Sequence, residues 1–315
     1  MIVAALVTAV TACSSTPEKT SPSESTSPPQ SAPTGQASSS GVTVTGDFGA
    51  APTVVVPDGP APAKLTDQTL IPGDGAEVAS GDTLVANYVG ETWAEKKVFD
   101  TSFSRGAPSG FVIGKGQVIP GWDKALVGQK LGSRVLLTIP PADGYGAGGN
   151  SQAGISGTDT LVFVVDLVAV YKPDASAPGT PAGPLPAGWP KVSATPAEEP
   201  TITSVVGVKA PKTPVSKLLV EGTGDKVDPS KTLVLQIVQT DLATGKHTQS
   251  TWGEAPQVVS ASNVLSLADV LSDQSVGARA VVLLPATPAT PASATSPAQP
   301  ARPAAAVVID VVGEF

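Results

Sequence analysis

A single cysteine, Cys13, and a single histidine, His247, are all that 315 residues hold of either type. One thiol excludes an intramolecular disulfide framework and any cysteine-based metal site, and one imidazole excludes a histidine-rich site. Both scarcities argue against metal-assisted or triad chemistry. Charge is thin as well: charged residues make up 15%, acidic ones outnumber basic ones 27 to 19, and the net charge is −8. No Lys/Arg cluster interrupts that balance, which argues against a nucleic-acid surface. Aromatics are only 4%, whereas Gly and Pro number 32 each. This mix predicts short strands and long loops rather than long helices, and the length suggests about two domains.

The apolar opening, Met1 to Ala12, is too short to span a bilayer as a helix. It resembles the tail of a signal peptide, and Val10-Thr11-Ala12-Cys13 resembles a bacterial lipobox, in which small residues precede the cysteine that is lipidated. No Lys or Arg precedes the run, so the start of the signal peptide is expected upstream. Residues 14–41 contain ten Ser, four Thr and five Pro, with no aliphatic side chain larger than Ala. Such a segment cannot bury enough apolar surface to offset its ordering entropy. A disordered tether over 13–41 is expected, with a mean span of about 30 Å.

Pro52 to Pro57 reads as a short edge strand bounded by prolines. From Thr69 the pattern becomes dense in strands: Thr83–Val89, Lys97–Phe103, Gly110–Ile113, Ser133–Ile139 and Thr160–Tyr171, separated by Gly, Pro, Asp and Ser. Alternation sets Val135, Leu137 and Ile139 on one face, and likewise Leu161, Phe163, Val165 and Leu167. Arg134, Thr138 and Asp166 point the other way, which predicts an antiparallel sheet with one covered face. Gly121-Trp122-Asp123-Lys124-Ala125-Leu126 places Trp122, Ala125 and Leu126 on one side of a short helix that Gly128 can end. Gly144-Tyr145-Gly146-Ala147-Gly148-Gly149 satisfies the dinucleotide fingerprint, but Pro140-Pro141 precede it and no amphipathic helix follows. It is a mobile loop presenting Tyr145. Asp47-Phe48-Gly49 lacks the rest of a kinase and is chance.

Residues 173–187, rich in Pro, Ala and Gly, predict a linker, beyond which the chain repeats itself. Leu219-Val220-Glu221-Gly222-Thr223-Gly224 stands 149 positions after Leu70-Ile71-Pro72-Gly73-Asp74-Gly75, and Thr232-Leu233-Val234 matches Thr83-Leu84-Val85 at the same distance. Val276-Gly277-Ala278-Arg279 matches Leu131-Gly132-Ser133-Arg134, and Val307 to Val312 echoes Phe163 to Val168.

Val118-Ile119-Pro120-Gly121-Trp122, with Tyr88 and Phe99-Asp100 upstream and Tyr145-Gly146 and Phe163 downstream, resembles the FKBP-type peptidyl-prolyl cis-trans isomerases. The resemblance covers roughly 64–172, one whole family domain. It implies an α+β fold of two FKBP-like domains, 42–172 and a degenerate copy at 188–315, each an antiparallel twisted sheet wrapped on one short helix. It implies Trp122 as the floor under a proline ring, walled by Tyr88, Phe99, Val118, Ile119 and Phe163. The Tyr145 hydroxyl and the Ile119 N–H would be donors to substrate carbonyls, and Asp100 the acid beside the twisting carbonyl. Phe111 and Ile155 are expected to contact substrate. One departure is Ser109, two before Phe111, where the family often has an aromatic residue.

The activity so implied is prolyl isomerisation without a cofactor. Expected partners are proline-containing exported polypeptides, macrolides such as rapamycin and, through the lipid on Cys13, the outer face of a bacterial cytoplasmic membrane. Two other readings stay open: a chaperone or adaptor of this fold with little catalysis, and a passive envelope lipoprotein. In the second copy Ile237 stands for Tyr88, Thr248 for Phe99, Gln249 for Asp100 and Leu267 for Trp122, while Pro285 to Pro303 replaces the tyrosine-bearing loop.

Overall fold

A computed structural model describes residues 36–193, 195, 198–228, 230–260, 271, 273–290, 298 and 300–315. The expected signal peptide, Cys13, most of the tether and Leu267 lie outside the described residues. Nearly every described element is a strand. In chain order, β1 (Gln36–Ala37), β2 (Thr43–Thr45) and β3 (Thr53–Val55) form a small antiparallel sheet. There follow β4 (Thr66–Ile71), β5 (Thr83–Thr92), β6 (Val98–Thr101), β7 (Ser109–Val112), the helix α1 (Pro120–Leu126), β8 (Arg134–Ile139) and β9 (Leu161–Tyr171). They build a six-stranded sheet in the order β4-β8-β9-β5-β6, with β7 also on β5, and every pairing is antiparallel.

The inner face of this sheet wraps on α1. Leu84, Ala86 and Tyr88 of β5, Val135, Leu137 and Ile139 of β8, and Leu161, Phe163, Val165 and Leu167 of β9 close on Trp122, Ala125 and Leu126 in one buried core. The period of two in the strands and of three to four in the helix puts these side chains together. The helix starts one residue earlier than its apolar spacing suggests, because Pro120 at the first position has a φ suited to helix and no N–H to leave unpaired. The Asp123 carboxylate accepts from the N–H of Gly114 (2.6 Å) and Gly116 (2.7 Å), tying the loop after β7 to the helix.

The expectation of a single covered face is corrected. Val42, Val44 and Val56 from the N-terminal sheet pack on Leu70, Leu136, Val162, Val164 and Trp93 on the opposite face. Residues 36–41, assigned above to the tether, form β1 and the turn into β2. Arg134 and Asp166, which alternation aims away from the core, are therefore not solvated: each side chain is 1% exposed. Arg134 donates to both Asp166 oxygens (2.6 and 2.7 Å) and to the carbonyls of Gly46 (2.7 Å) and Ala50 (2.8 Å), while Asp166 also accepts from the Gly49 N–H (2.7 Å). A charge pair withdrawn from water persists only when its donors and acceptors are matched in this way.

Downstream lie β10 (Thr180–Pro181), β11 (Lys191–Ser193), β12 (Thr201–Ser204), β13 (Val215–Glu221), β14 (Thr232–Asp241), β15 (His247–Ser250), β16 (Gln257–Ser260), β17 (Arg279–Leu284) and β18 (Ala305–Glu314). In the second large sheet β13, β17, β18, β14 and β15 run in the order of β4, β8, β9, β5 and β6, with β16 on β14 as β7 is on β5. The buried ion pair recurs. Arg279 donates to Asp310 (2.6 and 2.8 Å) and to the carbonyls of Thr195 (3.0 Å) and Glu198 (2.9 Å), and Asp310 accepts from Ala177 N–H (2.9 Å). The proline-rich stretch read as a linker is thus partly built into this sheet, since Ala177 is fully buried and β10 pairs with β13. Within Pro285 to Pro303, Thr287 and Arg302 pair across an antiparallel bridge, and residues 291–297 and 299 lie outside the described residues. Among the described residues no helix is long and apolar enough to cross a membrane.

Candidate active site

A cavity of about 520 Å³ opens where α1 meets the inner face of the first sheet. Trp122 lies at its base, 3% exposed, because the helix turns its apolar side onto β8 and β9. Its ring centroid is 4.8 Å from Phe111, 5.3 Å from Phe163 and 5.6 Å from Tyr88, all edge-on, and Phe99 meets Phe163 at 5.5 Å. Edge-to-face contacts of this kind lock aromatic side chains in place. Phe99 and Phe163 can meet only because residue 90 between them is glycine: a Cβ there would stand 2.6 Å from Phe163 and 2.8 Å from Phe99.

Gln117, Val118, Ile119 and Pro120 line one side of the cavity, and Gly144 and Tyr145 another. Ile119 caps the helix, accepting from the N–H of Trp122 (2.9 Å), so its own N–H stands outside the helical ladder. Tyr145 sits between two short 3-10 turns, Pro141–Asp143 and Gly146–Gly148, and is 38% exposed. Ile155 does not line the cavity. It is buried at 4% exposure in the core, its backbone paired with Asn150.

One edge of the cavity is polar. The Tyr88 hydroxyl donates to Asp100 Oδ2 at 2.5 Å, and Arg105 donates to Asp100 Oδ1 (2.6 Å), to the Tyr88 hydroxyl (2.7 Å) and, more weakly, to Ser109 Oγ (3.4 Å). Burial, followed by the bond to Asp100, pushes the Tyr88 phenol up to about 12. Burial also works to raise Asp100, but the hydrogen bonds from Tyr88 and Arg105 outweigh it and hold the carboxyl below its usual range. Asp100 is an anion at neutral pH and Tyr88 a neutral donor. Arg105, whose own pKa is raised first by its bond to Asp100, was not among the residues singled out from sequence. Its signal is an arginine five places after the acid, across the short 3-10 turn Phe103–Arg105 that returns it to Asp100.

The site holds no buried nucleophile beside a base, and among the described residues no group of three or more His, Cys, Asp or Glu is placed to hold a metal ion. It offers a desolvated aromatic box with one anionic edge. Residues 75–168 match the model of the FKBP-type peptidyl-prolyl cis-trans isomerases. An FK506-binding protein of Streptomyces anulatus is 42% identical over 119 residues, covering 38% of this chain and 96% of that protein. The chain belongs to the FKBP-type isomerase family. A probable FK506-binding protein of Corynebacterium glutamicum is 39% identical over 118 residues, covering 38% of the chain and 97% of its own length. Among solved structures, FkpA from Escherichia coli aligns at 40% identity with a TM-score of 0.31, over 34% of this chain and 48% of that one.

The match places this isomerase's aromatic box within the family segment, and that segment ends before the second large sheet. Where the family often has an aromatic residue, Ser109 pairs with Ala86 on β5 and its hydroxyl accepts a weak bond from Arg105.

Proposed function

We propose that this isomerase acts on proline-containing segments of exported proteins, anchored outside the cytoplasmic membrane by a lipid on Cys13, and that its second sheet is a catalytically silent copy of the first. The observation that carries the enzymatic part is the box of Tyr88, Phe99, Phe111, Trp122 and Phe163 around a cavity large enough for a proline and its neighbours.

Rotation about an X-Pro bond is slow because twisting forfeits amide resonance, a barrier of about 18–20 kcal/mol. The twisted amide has a less polarised carbonyl and a pyramidal nitrogen, so it loses less than the planar amide when water is removed. A proline ring stacked on Trp122 leaves its amide in that dry space. In this reading the Ile119 N–H and the Tyr145 hydroxyl hold the flanking carbonyls, and the Asp100 anion acts beside the rotating group. Every ~1.4 kcal/mol by which this setting favours the twisted form gives about tenfold in rate. No proton is transferred, so no group needs to titrate during turnover.

In the second sheet Ile237 stands on β14 where Tyr88 stands on β5, and Thr248 and Gln249 on β15 occupy the positions of Phe99 and Asp100. Neither ring packing nor an anionic edge can form from these residues. Macrolides that fill a proline pocket, such as rapamycin, are expected to compete at the first site alone.

A protease-free assay of X-Pro isomerisation on the purified chain tests the catalytic reading. Phe99→Ala should lower activity while the fold persists, and equal activity in the two proteins would refute the pocket. An active-site box that binds peptide yet leaves the isomerisation rate at its uncatalysed value would favour a chaperone or adaptor instead. For the anchor, fatty-acid labelling of cells expressing the chain behind a complete signal peptide should vanish in Cys13→Ala; persistent labelling would show the anchor is elsewhere.

A further inference from the structure

The pocket strand β7 is an edge strand, hydrogen-bonded to β5 alone through Thr83↔Val112, Leu84↔Phe111, Val85↔Gly110 and Ala86↔Ser109. Alternation along it sends Phe111 into the aromatic box and leaves Gly110 facing the other way. What Gly110 faces is the second sheet. A Cβ on Gly110 would fall 2.3 Å from a methyl of Val258, so the β16 valine rests directly on the β7 backbone. Val258 points away from its own core, where its neighbour Val259 packs. Val85, across from Gly110, and Val234, across from Val258, are both fully buried although each alternates out of its own sheet's inner core.

The register of this contact is held from the end of β9. Pro173 carbonyl accepts from Gly253 N–H (3.1 Å) and from the Gln236 side-chain amide (2.8 Å). Gln236 is fully buried and its carbonyl end accepts from the Thr251 hydroxyl (2.5 Å), so both ends of the side chain are committed. Tyr171, the last residue of β9, lies against Gly313 of β18. These polar contacts have defined directions, and they leave Val258 little freedom to slide along β7.

We propose that the second sheet positions the isomerase pocket: Val258, seated on Gly110, fixes β7 and through it the Phe111 wall. The inference rests on the isomerase activity of the first site and assigns a role to the silent copy. Gly110 and Val258 are positioning residues, since neither lines the cavity. A wall shifted by a displaced β7 changes the room available to the side chain beside the proline, which is read as selectivity rather than as stability.

The test uses the full chain, with isomerisation of peptides carrying Leu or Ala before proline and the ratio of their kcat/KM values as the readout. Gly110→Ala drives a methyl into Val258 and should change that ratio by about tenfold, the scale of a sub-ångström to ångström misplacement. Val258→Ala removes the support without a clash and should shift the ratio in a protein that remains folded. The double variant Gly110→Ala/Val258→Gly removes all three atoms the new methyl would meet, the Val258 Cβ at 2.7 Å among them, and should return the ratio toward wild type. An active wild type with the ratio unchanged in both folded single variants overturns this proposal alone. An inactive wild type overturns the isomerase reading and the proposal with it.

Discussion

Gly90→Ala is the sharpest single perturbation of the aromatic box, because its new methyl lands between two rings that line the cavity. Gly90 pairs with Phe163 on β9 and with Asp100 on β6, where the β5–β6 register shifts, and its φ is not positive, so alanine brings no left-handed strain of its own. The added Cβ would stand 2.6 Å from Phe163 Cε1 and 2.8 Å from Phe99 Cζ, against about 3.5–4.0 Å for a relaxed carbon contact. Both rings must retreat by roughly 1 Å, and Phe163 cannot retreat freely with Trp122 behind it at 5.3 Å. Overpacking of this size costs about 1–3 kcal/mol, and in a folded unit of this size each kcal/mol lowers Tm by roughly 2–4 °C. The displaced rings should reduce kcat/KM by about ten- to a hundredfold, far more than the thermal shift would suggest at assay temperature. Thermal unfolding by circular dichroism and the protease-free isomerisation assay measure the two effects separately. Gly148→Ala is the control, since a Cβ there meets nothing within 4 Å. A Gly90→Ala protein with wild-type kcat/KM would refute the claim that Phe99 and Phe163 act as a packed pair.

Asp166→Ala leaves the Arg134 guanidinium buried without a counter-charge and should cost about 3–5 kcal/mol in a urea titration, whereas Arg134→Met/Asp166→Leu should recover most of that loss. Arg105→Met removes the hydrogen bond and the positive charge that Arg105 sets against Asp100, together with its bond to the Tyr88 hydroxyl. Because the folded Asp100 pKa is depressed, its stabilising contribution is present above the ordinary carboxylate pKa and is lost as pH falls through the lower folded value. In Arg105→Met the acid limb of the activity profile should therefore move to higher pH, with no change between about pH 6 and 9. Tyr145→Phe deletes one hydroxyl at the mouth, about 0.5–1.5 kcal/mol, and should lower kcat/KM by no more than about tenfold; a larger loss would mean the hydroxyl does more than hold a carbonyl.

Of the box, Trp122 and Phe163 sit in local patterns with a physical meaning, whereas Tyr88, Phe99 and Phe111 are pointed to only by the resemblance to the isomerase family. Alternation in 133–139 and 160–171 says which side chains share a face, and the Trp122, Ala125, Leu126 spacing says which side of the helix meets them. The same alternation misplaces Arg134 and Asp166 in solvent, since a period of two separates two faces but cannot tell water from a second buried layer. That layer comes from three short valine-bearing stretches, 42–56, too brief to carry a periodicity of their own. Arg105 was invisible for a related reason: its meaning lies in a turn that folds it back on Asp100 and in a hydroxyl from another strand. Ile155, which the resemblance sets against substrate, is carried inward to the core by turns whose path its sequence distance from Tyr145 does not reveal.

The Arg134–Asp166 pair also determines how the isomerase bears tension. Any pull on the chain ahead of Gln36 reaches the large sheet through β1–β3 and the 46–50 turn, on the face opposite α1 and the cavity. The first bonds on that path are the two-residue pairing of β1 with β2 and the bonds that join Ser39 to Gln68 and Ser40 to Thr138, and behind them stand the three backbone groups gripped by the buried ion pair. The aromatic rings around Trp122 lie on the other face of the sheet from all of these bonds.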